Sequence, residues 1–297
     1  STKAKPNPLR RFGFITTNSI TQTFSRRVVE AALSAKSPIS LVFSVPDHPW
    51  MKASDKAAVR IAMTVGERGE MEGLLGTVVE EKKLNTDTPR VILLSSIGRL
   101  TSQLKLGADT SNLLALQSNE TLGHKGFMPY GADAFFISLK EAIQFGLGKI
   151  DGAEEFIRPY RNGSDLNRKP RGIYTLDFHE KSQNFVMKNY PEAYQHLLET
   201  SKDNRAENNI EYRRKFWWRY GQPSHNMRAG LNDITRYIGT SETSKHRMFV
   251  FLSRQIAPDQ KVRVIAVSDD YCLTILSSRV HTYFSFQTGG WQGVGID

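Results

Sequence analysis

"FGFITTNSITQTFSRRVVEAALSAKSPISLVFSV", residues 12–45, decides what kind of fold the chain opens with. "FGFIT" (12–16) is short, apolar and β-prone. "FSRRVVEAALSAK" (24–36) puts Phe24, Val28, Ala32 and Leu33 on one helical face. "ISLVFSV" (39–45) is β-rich again, and "AAVRIAMTV" (57–65) and "LLGTVVE" (74–80) repeat the signal. The order β-α-β-β-β starts like an α/β sheet and finishes in antiparallel strands. A three-layer α/β domain needs further strands upstream. The chain begins instead at "STKAKPNPLRRFGFITT", without an initiating Met, and reads as a piece of a larger protein.

Working outward, the polar run "EKKLNTDTPR" (81–90) reads as a linker. "GHKGFMPYG" (123–131) is loop-like. "SLKEAIQFG" (138–146) is a helix, with Ser138 and Glu141 at capping-box spacing. Residues 154–178 read as a loop bracketed by strand-like pieces. "PEAYQHLLETSK" (191–202) is a helix with Pro191 in its first turn. "MFVFL" (248–252) and "VRVIAVS" (262–268) are buried strands. Leu273, Leu276, Val280 and Phe284 repeat at helical spacing, so 272–286 reads as one helix.

The 297 residues carry a formal net charge of +10, and 24% of them are charged. Such a balance suits a polyanionic partner or plain solubility. The single cysteine, Cys272, excludes an intrachain disulfide or thiolate metal site and fits a reducing cytosol. No apolar run approaches the roughly 18 residues of a membrane span. The seven histidines include no H-x-x-x-H pair, so no metal motif is expected. "GLGKID" (146–151) lacks P-loop spacing, and "GGWQGVG" (289–295) reads as a turn. Asp47, Glu80 and Lys82 form the scattered acidic-plus-lysine set that a metal-dependent nuclease would use. There is no nucleophile-elbow G-x-S-x-G.

Three segments carry nucleic-acid chemistry. "RPYRNGSDLNRKPR" (158–171) sets Arg158, Arg161, Arg168, Lys169 and Arg171 against a single Asp165. Cations on an irregular loop suit backbone phosphates, and the alternative is a solvated surface loop. "RRKFWWRYG" (213–221) interleaves Arg213, Arg214, Lys215 and Arg219 with Phe216, Trp217, Trp218 and Tyr220. Its rings either stack on bases, single-stranded RNA or DNA included, or anchor the core while the arginines reach solvent. In "RYIGTSETSKHRMFVFL" (236–252), continued alternation would place Thr240, Glu242, Ser244 and His246 on one face. Ser241, Thr243, Lys245 and Arg247 would take the other. Glu accepts from cytosine N4, and Arg or Lys donates to guanine O6 and N7.

These phrases, with "GFITTNSITQTFSRRVVE", "ISLVFSVPDHPW", "AAVRIAMTV", "YPEAYQHLLE" and "LSSRVHTYFSFQTGGWQGVG" in the same order, resemble the MmeI-like, type IIL restriction–modification enzymes and related bacterial adenine-specific DNA methyltransferases. The likeness runs over nearly the whole chain. It implies an α/β remnant of a Rossmann-like methyltransferase domain (residues 1–85) followed by an α+β target recognition domain (residues 86–297). It implies duplex DNA as partner, a bacterial cytoplasm, and an upstream part of the same polypeptide. That part would carry S-adenosylmethionine-dependent N6-adenine methylation and a nuclease. The family's glycine-rich cofactor motif and Asn-Pro-Pro-aromatic motif are missing here, so this piece is expected neither to hold the cofactor nor to methylate. Trp50 corresponds in position to the aromatic that stacks the extruded adenine. Thr240, Glu242, Ser244 and Arg247 are the implied base contacts. Lys245 joins the cations of 158–171 and 213–219 on the DNA backbone.

Overall fold

The computed structural model describes residues 9–50, 59–84, 86, 88–107, 113–130, 132–244 and 246–288. The opening stretch forms β1 (Arg11–Thr17), a 3-10 turn, α1 (Thr23–Leu33) and β2 (Ile39–Pro49). β3 (Arg60–Arg68), β4 (Gly73–Lys82) and β5 (Arg90–Gly98) complete a sheet of order β1-β3-β2-β4-β5. Only its β2–β4 pair is parallel, through Phe43↔Leu74 and Ser44↔Leu75. A side chain at position 73 could not enter that pairing, because a Cβ there would stand 2.2 Å from the Leu41 carbonyl oxygen.

Two expectations fail in this region. α1 does not bury Phe24 and Val28, which are 81% and 75% exposed. Of the expected face Leu33 does pack, together with Val29, on a small core of Leu41, Ala62, Leu100 and Leu104. The helix is apolar on two sides, and periodicity alone does not say which side meets the sheet. The polar run 81–90 is not a linker. Lys82↔Arg90 closes the β4–β5 hairpin, and a hairpin turn has the same polar composition as a linker. The boundary expected at residue 85 therefore falls inside a hairpin. The compact units are residues 1–114 with 286–297, and residues 115–285.

The second unit runs β6 (Gly123–Lys125), β7 (Phe136–Ile137), α2 (Leu139–Gln144), β8 (Ile157–Arg161), α3 (Gly163–Asn167), β9 (Tyr174–Leu176), α4 (Gln183–Asn189) and α5 (Pro191–Leu197). A π-helical turn at 198–202 leads into α6 (Asp203–Ala206), then α7 (Glu211–Lys215) and α8 (His225–Gly230). β10 (Arg236–Ser241), β11 (Val250–Ser253), β12 (Ala257–Pro258) and β13 (Val262–Ile265) follow, and the chain continues through α9 (Asp270–Leu276) and α10 (Arg279–Thr288). One sheet has the antiparallel order β11-β10-β13-β6, the other the order β12-β8-β9-β7. The Ser138–Glu141 capping box forms as spaced. "GHK" at 123–125 is strand rather than loop, because it extends the edge of a sheet whose other strands lie far along the chain. The helix expected over 272–286 breaks at Ser277–Ser278.

One core unites both sheets and the helices. Tyr237, Leu252 and Val264 enter it from the first sheet, Ile137, Ile157 and Leu176 from the second, and Val186, Ala193 and Leu197 from α4 and α5. Trp217 and Trp218 belong to it, at 6% and 5% exposure. They meet edge to face at 5.7 Å, and the Trp218 indole donates to the Lys181 carbonyl at 3.0 Å. Arg205, also buried, donates to the carbonyls of Trp217, Arg219, Pro129 and Tyr130. Burial, with the Arg213 charge nearby, pulls its pKa down to about 10. Among the described residues, no helix is long and apolar enough to cross a membrane.

Candidate nucleic-acid interface

Asp165 organises the basic loop. Its carboxylate accepts from the Asn162 amide at 2.9 Å, closing the capping box of α3, and from the Arg171 amide and Nε, both at 3.0 Å. The Arg171 Nη2 adds a fourth bond at 2.9 Å. Burial works to raise this carboxyl, but the guanidinium and the two amides override it and hold it below the usual carboxylate range. The loop is thus clamped at both ends around α3.

That clamp lays α3 against the end of β10. A Cβ added at Gly163 would lie 2.4 Å from the Ser241 Oγ and 3.3 Å from its Cβ, so a larger residue there requires Ser241 to turn or α3 to shift. Asn167 reaches the Ser244 hydroxyl at 3.4 Å. The turn after β12 joins them: Asp259 N donates to the Arg161 carbonyl at 2.8 Å, and Glu242 N to the Lys261 carbonyl at 2.7 Å. The Tyr160 hydroxyl bonds Asp259, and burial followed by that carboxylate raises its pKa. Together α3 with its cap, the residues at and just after the end of β10, and Asp259 and Lys261 line an open recess of about 450 Å³. Its walls are amides and hydroxyls (Asn162, Ser164, Asn167, Ser241, Thr243, Ser244), with Arg168 and Lys261 as cations and Asp259 as the one carboxylate. Neutral donors and acceptors flanked by cations are the groups that base edges and phosphates require.

The expected contacts divide. Arg168 and Lys169 are exposed on the loop, and Arg161 is half-exposed, donating to the Tyr160 carbonyl. Arg171 is tied to Asp165. Arg158 does not face solvent: its side chain is 11% exposed and bonds Asp177 at 3.1 Å and the carbonyls of Arg254 and Gln255. Arg228 binds the other side of Asp177 at 2.7 Å, and both guanidinium groups lie against the Phe127 ring. Thr240 is 6% exposed, with its hydroxyl buried, and is placed in the sheet interior rather than on a reading surface. The alternation expected through 247 stops because β10 ends at Ser241. Residues 242–244 and 246–249, between β10 and β11, are not strand, so period-2 facing no longer applies to them. There Glu242 pairs with Arg263 of β13, Ser244 donates to the His246 carbonyl at 2.6 Å, and Arg247 folds back on the Ser241 and Glu242 carbonyls. Lys245 lies outside the described residues.

No residue of 213–219 lines the recess. The rings of Trp217 and Trp218 are inside, so they offer no stacking platform. Arg219 lies over Phe216 and Trp218 and donates to the Lys181 carbonyl at 2.7 Å. Arg213 stacks on Tyr130 at 3.8 Å and lines a separate cavity of about 580 Å³ beside Arg205. Arg214, which bonds the Asn208 carbonyl, and Lys215 are exposed. In the first unit Trp50 is 46% exposed just after β2, its amide bonded to the Val59 carbonyl. The nuclease set is not assembled. Asp47 pairs with Arg60 at 2.8 Å, Glu80 pairs with Lys82, and among the described residues no metal-capable group includes either carboxylate. Sequence reasoning missed Asn162, Asn167, Asp259 and Lys261. Asx capping spacing was the one signal in the first of these, and tertiary contact alone brings in the other three.

No family model and no curated protein matches the chain. The architecture is that of a mixed α/β protein in two units, the second holding a basic, hydroxyl- and amide-lined recess. A solved structure of the type IIL restriction–modification enzyme MmeI in complex with DNA is similar to it. The TM-score is 0.68 over 95% of this chain, at 18% identity. At that identity the likeness is one of fold. This chain spans 37% of the length of that one.

Proposed function

We propose that the chain is the duplex-reading part of a restriction–modification enzyme whose whole polypeptide methylates adenine N6 with S-adenosylmethionine in the bacterial cytoplasm. The recess at α3 is the observation that carries this reading. It puts cations for phosphates and neutral hydrogen-bonding groups for base edges in one place, in a fold like that of an enzyme solved with DNA. The net charge of +10 supports it. In this reading Arg161, Arg168, Lys169 and Lys261 meet phosphates, with Lys245, Arg213, Arg214, Lys215 and Arg219 as further cations. Glu242, Ser244 and Arg247 read bases, and Arg158 and Arg171 hold the loop in shape. Trp50 stacks the extruded adenine. Residues 1–114 belong to the methyltransferase domain and 115–285 to the recognition domain. Phe14 and Ile15 on the edge strand β1, at 58% and 65% exposure, and Phe24 and Val28 on α1 supply an apolar surface for the preceding part of the polypeptide to cover. That part would bring the cofactor and the Asn-Pro-Pro-aromatic motif.

The test is selection from a pool of random duplexes at low and moderate salt. One short sequence should be enriched, and affinity should fall steeply with salt. Arg168→Ala should weaken binding to all sequences alike and reduce the log–log salt slope by about 1. Glu242→Gln should change the preferred base and leave that slope alone. If no sequence is enriched, the specific reading is lost.

A further inference from the structure

His179 and Glu180 follow β9, and His225 opens α8. Far apart in sequence, these three side chains place one ligand-capable atom each within 4.8 Å of one another. His179 Nε2 is 3.6 Å from Glu180 Oε1, and the two imidazole rings lie 5.4 Å apart. Around a tetrahedral ion with bonds of about 2.0–2.1 Å, neighbouring donor atoms are about 3.3 Å apart. A small rotation of the exposed Glu180 and His225 side chains closes the remaining gap, while half-buried His179 is held more firmly.

The backbone that carries these residues is held on both sides. Phe178, fully buried, stacks on Phe156 and fixes the chain just before His179. Asp177 binds Arg228 through both carboxylate oxygens, which ties the segment 177–180 to α8, three residues beyond His225. Arg228 also donates to the Pro223 carbonyl at 2.9 Å and so steadies the approach to His225. Glu180 and Ser224 both have left-handed backbones, at φ +59° and +56°, which non-glycine residues adopt rarely. Strain of this kind persists where the surroundings enforce it. At Glu180 it turns the carboxylate back beside the preceding imidazole. The Arg228 charge opposes a cation nearby, and Asp177, shared between Arg228 and Arg158, offsets it only in part, so the Glu180 carboxylate must supply the rest.

We propose that His179, Glu180 and His225 bind one divalent transition-metal ion, zinc foremost. Two imidazoles and one carboxylate suit zinc, cobalt or nickel, whereas magnesium and calcium take oxygen ligands. Three protein ligands leave a position for water. The ion acts as a clip between the segment after β9 and α8, and this inference is independent of the DNA-reading proposal. The test is calorimetric titration of the tag-free, chelator-treated full chain with zinc chloride and, separately, magnesium chloride. One zinc per chain should bind, and magnesium should not. Cobalt should give the visible absorption of a low-coordinate site. His225→Ala and Glu180→Gln should each weaken zinc binding roughly tenfold or more, the scale on which metal sites lose affinity when their ligand environment is broken. Both should leave the metal-free melting temperature near that of the parent, since both side chains are exposed. His246→Ala should leave zinc binding unchanged. Absence of stoichiometric zinc binding overturns the proposal, as does zinc binding equally tight in both ligand variants.

Discussion

Asp177 shows how a residue can reverse the meaning of a basic sequence. It is buried between Arg158 and Arg228, and together they make the ionic centre of the second unit. Burial alone would raise its pKa, but the two guanidinium groups, Arg228 foremost, hold it below the usual carboxylate range. A carboxylate depressed in the folded state stabilises the fold at pH values above its unfolded pKa, about 3.9. That contribution is lost as pH falls through the lower, folded value. The Asp177 contribution should therefore hold steady from neutral pH to about pH 5 and be lost below about pH 4, and the difference between parent and Asp177→Asn melts should show it. Asp177→Asn should cost about 3–5 kcal/mol at neutral pH, because it strands two buried cations, and should flatten part of the acid slope. Melts of both proteins across this pH range check it. Arg158 read as a phosphate contact because loop composition counts charges and is blind to partners. The buried Asp177 lies beyond the basic loop, outside the window that reading used. Trp217 and Trp218 left two readings open for the same reason, and packing decided for the core.

At the scale of elements, strands and helices with strong patterns were legible. β1, α1, β2, β3 and β4 stand where alternation and helical spacing put them, and the α2 capping box is visible in Ser138 and Glu141. Elements defined by a distant partner were not legible. β6 exists only because it pairs with β13. β10 stops at Ser241 because Glu242 turns to meet Lys261 and Arg263, which no local alternation announces. The α3–β10 contact is similarly hidden, yet it makes the recess. Gly163→Ala tests it: the added methyl must turn the Ser241 hydroxyl out of place or push α3 away from it, at a cost of about 1–3 kcal/mol. Binding to a selected duplex should weaken more than folding does, because either shift alters the recess. Unchanged affinity in a folded Gly163→Ala protein would detach the recess from DNA recognition.

On the scale of the whole molecule, two units have separate cores, the second much the larger. A fragment starting at Ala115 and carried to the end of α10 at Thr288 should unfold cooperatively with a dispersed amide spectrum, and should keep the salt-dependent duplex binding of the full chain. A molten fragment would show that the large core needs the first unit. By itself the sequence determined the β-α-β-β-β order of the opening, the strongly patterned elements after it, the basic balance, and the residues rich in donors near 158–171 and 240–247, because these depend on local periodicity and composition. Only the tertiary structure decided which cations stay free, which face of α1 is covered, and which distant groups meet at the recess or around His179. Burial and ion pairing depend on partners that chain distance does not reveal.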